Sequence, residues 1–270
     1  MIEQAINDSV KLIEKNWKEL AIDFSKIYGL TYVFSTIFTG AMIAVWVVAG
    51  IGSGENPWLA IAIGIAVTIL MGTGLVVITG AISATSFLVV RESTAGKRVG
   101  IIEKSRELLV PVGKYMLLLS AVGVLVLAVI LLPLVAQDAW VSVLLMLTLM
   151  AVMVIALVLL FFFIQFAMLE IVIGKKGVID SLRLSTGKVR NNIIMVFLYD
   201  IILFVISIAI GIPFSLVIQF VVVPMMIASA LNIGFLMVAI LLYLALLFIM
   251  SVGLQVIVIP ITYFFWKRLK

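Results

Sequence analysis

Long apolar runs alternate with short polar islands along this chain, and the lengths of the runs decide its class. Nearly unbroken apolar stretches occupy residues 30–50, 58–90, 115–135, 140–169, 193–218 and 233–266. An α-helix rises 1.5 Å per residue, so about 20 such residues cross the ~30 Å hydrocarbon core of a bilayer. Lipid offers the backbone no hydrogen-bond partner, and runs of this kind are therefore expected to be helical. Helical throughout, the 58–90 run would measure about 50 Å, so it should tilt, kink at its glycines or protrude. Pro213 is expected to bend the fifth run. The uncharged stretch 221–232, with Pro224, reads as a turn or a shallow interfacial piece. Residues 52–57 and 137–138 read as loops.

The polar islands have their own pattern. Ile2, Ile6, Val10, Ile13, Trp17, Leu20 and Phe24 recur at intervals of three or four, which draws one apolar stripe along a helix. Charge on its remaining faces suits a helix lying in the membrane interface or capping the bundle rather than a span. A weaker amphipathic piece covers 101–109, and a basic island covers 170–192. The pattern predicts an all-α, polytopic membrane protein of six transmembrane helices, forming a single integral membrane domain over 1–270.

Charge supplies the orientation. Lysine and arginine number four in residues 1–26, six in 91–114, five in 175–190 and three in 267–270, which accounts for all 18. Six spans place these four segments on one side, and the positive-inside rule makes that side the cytoplasm. The expected location is the cell membrane, multi-pass, with both termini cytoplasmic. Only Glu55 and Asp138 remain for the opposite loops, and Trp46, Trp58 and Trp140 fall at the outer rim, Trp17 and Trp266 at the inner one.

Composition then excludes classes. With 65% hydrophobic residues, 11% charged and a mean hydropathy of +1.38, the chain is no soluble domain. The charged segment that opens the chain is not expected to be a signal peptide. The chain has no cysteine and no histidine, so thiolate sites and the commonest general base and metal ligand are missing. No enzyme, no cofactor and no metal site is expected. Ser185-Thr186-Gly187-Lys188 ends like a phosphate-binding loop, but position 182, where that loop needs glycine, is Leu182. Asn7-Asp8-Ser9 fits a glycosylation acceptor on the wrong side of the membrane. The cations are interleaved with acids over four segments, which argues against nucleic acid.

The islands also repeat. Val178, Leu182, Ser185, Val189 and Asn192 recur with the same spacing as Ile2, Ile6, Ser9, Ile13 and Asn16, and more faintly as Ile102, Ser105 and Leu109. Two apolar runs follow each copy, and the second ends in aromatics: Phe87, then Phe161–Phe163 with Phe166, then Tyr263–Trp266. The chain thus reads as three parallel helical-hairpin repeats, about 1–90, 91–174 and 175–270, each preceded by a cytoplasmic amphipathic helix.

One island carries a resemblance. Ser181-Leu182-x-x-Ser185-x-x-x-Val189-Arg190-Asn191-Asn192, preceded by Glu170 and Gly177, resembles the motif of the glycerophosphodiester phosphodiesterase membrane-domain superfamily, best over 165–205. That superfamily includes uncharacterised stand-alone polytopic relatives. The resemblance implies a six-span helical membrane domain. Some relatives are fused to a phosphodiesterase domain, which is not expected here, and the family supplies no catalytic residues.

Candidate chemistry centres on Asp200, eight residues past Asn192 within the fifth run. A lone carboxylate in lipid costs on the order of 3 kcal/mol, so it should face the bundle interior or water. Ser207 and Gly211 share its face. Thr68, Gly72, Thr79, Ser83 and Ser86 form a small or polar stripe on the second span, and Gln165, Ser251 and Gln255 add polar groups elsewhere. One reading is a polar, cytoplasm-facing cavity of Asp200, Gln165, Ser83, Thr79, Ser207, Ser251 and Gln255, binding or passing a small solute, ion or lipid. The other is that small and hydroxyl residues let helices approach closely in a non-catalytic scaffold or assembly factor. Lys175, Lys176, Arg183, Lys188 and Arg190 are candidate contacts for anionic lipid headgroups of the bilayer.

Overall fold

The computed structural model describes residues 1–52, 57–131, 139–228 and 233–269. Glu55 and Asp138 lie outside the described residues, as do the expected loop at 137–138, all of the expected 52–57 loop except Gly52 and Pro57, and the side chains of Trp58 and Trp140. The described chain is α1 (Ile2–Gly52), α2 (Pro57–Thr94), α3 (Ile101–Leu131), α4 (Ala139–Ile164), α5 (Ala167–Val172), α6 (Val178–Asn191), α7 (Ile193–Val217), a π turn (Ile218–Val222), α8 (Val223–Ala228) and α9 (Ile233–Arg268). No strand occurs among the described residues. Six of the described helical stretches are long and apolar enough to cross a membrane. On that ground the chain is a multi-pass membrane protein.

The bounds differ from the sequence expectation at several junctions. The amphipathic segment 2–24 and the first span share one helix, α1. Only Asn16 leaves helical geometry there, at φ −127° and ψ 19°. The 101–109 piece likewise runs straight into the third span as α3, with Pro111 inside it. The fourth span stops at Ile164 instead of 169. Finally, α7 carries Pro213 without interruption, and the irregularity falls later, in the π turn at Ile218–Val222. Pro224 follows that turn and has no N–H to donate backward, so the backbone re-registers there and then stays helical to Ala228.

The apolar stripe along the start of α1 is also split. Ala5, Ser9, Leu12, Leu20, Phe24 and Ile27 are buried, whereas Val10 and Trp17 are exposed. The packed line runs beside the stripe that periodicity alone picked out, and small Ala5 and Ser9 allow the close approach.

The chain divides into two compact units. The first holds Met1–Gly29, Ser86–Val99 and Asn191–Lys270; the second holds Leu30–Thr85 and Gly100–Arg190. These bounds cut across the three stretches expected as repeats, about 1–90, 91–174 and 175–270.

In the first unit the ends of the chain meet. Arg268, the last residue of α9, donates to the Asp8 carboxylate at 2.5 Å and to the Gln4 amide oxygen at 2.8 Å. Asn16 donates its side-chain amide to the Ser93 carbonyl at 3.3 Å, and Arg98 pairs with Glu19 at 2.8 Å. Gly96, at φ +67°, closes α2 there: its N–H reaches the Ser93 carbonyl and that of Lys97 the Glu92 carbonyl, the glycine-terminated cap common at helix C-termini. Farther along, Tyr199 of α7 stacks on Phe265 of α9 at 4.2 Å between ring centroids. Its hydroxyl donates to Thr262 Oγ1 at 2.7 Å. Val196, Tyr199 and Phe265 are fully or almost fully buried, so this stack is the centre of the α7–α9 packing.

In the second unit, α3 packs against α4 and α5. Its core is Ile101, Leu108, Val112, Ile164, Phe166, Ala167, Leu169, Ile171, Val172 and Val189. Elsewhere in it Gly64 lies under the Trp46 ring, where an added Cβ would sit 2.7 Å from ring carbons. Trp46 donates its indole N–H to Thr68 Oγ1 at 2.9 Å.

Candidate functional site

Three of the residues that carried the sequence resemblance, Glu170, Ser181 and Ser185, lie with Lys188 in the second unit. Ser185 of α6 bonds to two backbone groups at the break after α4. Its hydroxyl donates to the Phe163 carbonyl at 2.9 Å and accepts the Phe166 N–H at 3.2 Å. One side chain thus spans the gap between α4 and α5. Glu170, on α5, is buried, and Lys188, on α6, reaches it at 2.9 Å. Gly174 makes room for this: a Cβ there would lie 2.6 Å from the Glu170 carbonyl oxygen and 3.0 Å from its Oε2. The next residue, Lys175, takes φ +52° and turns the chain toward α6. Ser181 is also fully buried, but its Oγ has no hydrogen-bond partner.

The five basic candidates are therefore not equivalent. Lys188 is held by Glu170, whereas Lys175, Lys176, Arg183 and Arg190 are exposed.

A cavity of about 480 Å³ opens between α2 and α3 in the same unit, lined by Thr73, Leu117, Ser120, Ala121, Val124 and Leu125. It is an open groove rather than an enclosed pocket, for Leu117, Val124 and Leu125 are exposed. The lining is apolar apart from two hydroxyls, and none of the residues singled out from sequence takes part. A signal existed: between Tyr115 and Leu131 the apolar run contains a single hydroxyl, Ser120.

The seven residues assigned from sequence to one polar cavity divide between the units. Asp200, Ser207, Ser251 and Gln255 belong to the first, and Thr79, Ser83 and Gln165 to the second. All seven are half-buried. Asp200 follows the stacked Tyr199 on α7, and Ser207 lies two turns on along the same face. Ser251 and Gln255 are one turn apart on α9, as Thr79 and Ser83 are on α2, while Gln165 occupies the break after α4. Several hydroxyls are used locally. Thr79 donates to the Leu75 carbonyl at 2.7 Å, Ser207 to Leu203 at 2.8 Å and Ser251 to Leu247 at 2.8 Å. Such back-bonding satisfies a hydroxyl within its own helix. No group of three or more acidic side chains able to hold a metal ion occurs among the described residues.

The chain belongs to the family described as a domain of unknown function, DUF7847. The family's model matches residues 30–269, which takes in Ser185, the Glu170–Lys188 pair, the α2–α3 groove and the Tyr199 stack. No curated protein and no solved structure matches the chain.

Proposed function

We propose that this protein is a non-catalytic membrane protein that binds a lipid-class molecule in the groove between α2 and α3. The observation that carries the reading is the character of that groove: Leu117, Ala121, Val124 and Leu125 offer an apolar wall, and Thr73 and Ser120 offer two hydroxyls. A few placed polar groups in an apolar groove suit an acyl chain with a polar handle better than a bare ion. The test is crosslinking with a photoactivatable phospholipid in membranes. Adducts concentrate on α2 and α3 in wild type and are lost from them in Ser120→Trp, which fills the groove. Even labelling of every helix in both proteins ends the proposal.

The accompanying topology reading places both termini and the basic segments in the cytoplasm, in a cell membrane whose anionic lipids meet the exposed cations. It is supported by the confinement of all 18 cations to four segments and by Arg268 lying on Asp8. The repeat reading is supported by a backbone coincidence. Asn16 and Asn192, which hold matching places in the repeated pattern, depart from helical geometry alike, at φ/ψ of −127°/19° and −131°/31°. Asn192 stands where an amphipathic segment meets a span, and Asn16 lies within the amphipathic start of α1.

A second reading, a scaffold without a ligand, draws support from the back-bonded hydroxyls of Thr79, Ser207 and Ser251. A liposome flux screen over ions and small solutes decides whether Asp200 takes part in passage. Flux in wild type that is reduced in Asp200→Asn supports a transport role. Equal behaviour of the two proteins removes Asp200 from the function.

A further inference from the structure

The outward side of α6 carries an arrangement that packing within the protein does not use. Ser181, Ser185 and Val189 form its buried side. At 100° per residue, Ile179, Arg183, Thr186 and Arg190 fall within about 60° of one another on the opposite side. All four are exposed, Ile179 by 81%. Exposed Lys175 and Lys176 immediately precede the helix. Asp180 lies about 100° round the helix from Ile179, and the fifth cation of the island, Lys188, is bound to Glu170. The ridge therefore joins one fully presented apolar side chain to two arginines, with no acid on the same line.

We infer that this ridge is an interfacial anchor for anionic lipid headgroups, with Ile179 entering the acyl boundary and Arg183 and Arg190 meeting phosphates. The occupant follows from two facts. Helices long and apolar enough to cross a membrane lie on either side of α6 in the chain, so a bilayer surface is close by. Charge complementarity then selects anionic over zwitterionic lipid, by about fivefold in local enrichment per basic residue near the surface. Arginine presents a planar fork of donors that fits phosphate oxygens in pairs. An exposed apolar residue within a basic helix is the pattern of helices lying in the interface plane. The inference rests on the proposed contact between the exposed cations and anionic lipid, and adds which residues make it and how deep the helix sits.

The chain contains no cysteine, so a single Ile179→Cys carries one environment-sensitive fluorophore in the otherwise intact protein. The labelled protein is placed in bilayers containing brominated phosphatidylglycerol or brominated phosphatidylcholine. Expected are a blue-shifted emission and quenching by both lipids, with quenching by the anionic one at least about twofold stronger. In the Arg183→Gln/Arg190→Gln background the twofold preference falls to parity. The same label at Asp180→Cys, off the ridge, is quenched less. Water-like, unquenched emission at position 179 overturns the inference and leaves the ridge free for a soluble partner. Quenching without lipid preference overturns the headgroup assignment and the basic-surface reading beneath it, while insertion of Ile179 stands. Equal quenching at 179 and 180 rules out a directed ridge. Ile179→Ser, labelled elsewhere on the exposed side, separates a folding defect from a lost anchor, since its elution profile and melting stay at the wild-type values.

Discussion

Lys188 and Glu170 form an ion pair at 2.9 Å with the carboxylate only 7% exposed and the lysine 20%. Removing one member of a buried pair leaves the other uncompensated, at a cost of about 3–5 kcal/mol. Lys188 retains some solvent, so Glu170→Gln is expected at the lower end of that range and Lys188→Met higher. The double variant should cost less than the two singles together, because the sites are coupled. Thermal melting in detergent, followed by size-exclusion chromatography, reads the order. Additive losses would mean that the two residues act separately. Gly174→Ala should also lower the melting temperature, by crowding the Glu170 backbone.

Two serines one turn apart on α6 are expected to behave oppositely. Ser185 serves both sides of the break between α4 and α5, so Ser185→Ala removes two hydrogen bonds and costs about 1–3 kcal/mol. Ser181 buries a hydroxyl without a partner, so Ser181→Ala should leave stability unchanged or raise it. The same melting assay checks both, and a larger loss from Ser181→Ala would contradict the geometry.

The Tyr199 stack supplies an internal scale. Tyr199→Phe keeps the ring contact with Phe265 and loses one hydrogen bond to Thr262, for about 1 kcal/mol. Phe265→Ala empties a fully buried position and should cost about 3 kcal/mol or more. If the two losses are equal, the hydroxyl and not the stack holds α7 to α9.

Topology is checked by labelling single cysteines in sealed vesicles. Cysteines replacing Glu3 and Lys104 are expected to react from one side, and a cysteine replacing Glu55 from the other. Opposite accessibility of Glu3→Cys and Lys104→Cys would break the orientation reading.

Much of the scaffold was legible in the sequence because hydrophobic run length is a local property. The sixth span, expected at 233–266, is covered by α9, and the second, expected at 58–90, by α2. Helix junctions were harder. Nothing in the stretch 2–52 announces that Asn16 bends rather than ends α1, because the bend is held by the Ser93 carbonyl, far along the chain. The candidate site was the least legible part. Lys188 reads as one more surface cation until the turn at Gly174 and Lys175 brings Glu170 against it. Thr73 and Ser120 mean little until α2 and α3 lie side by side.

By itself the sequence determined that this chain is helical, that its helices are long and apolar enough for a membrane, and that its cations are confined to four short segments. Backbone groups in lipid must be satisfied within their own helix, and charge is excluded from lipid, and both constraints act residue by residue along the chain. Only the tertiary structure decided that Ser185 bridges a helix break, that Arg268 lies on Asp8 and that an apolar groove opens beside Ser120. Those outcomes depend on distances between residues on different helices, and spacing along one helix cannot encode them.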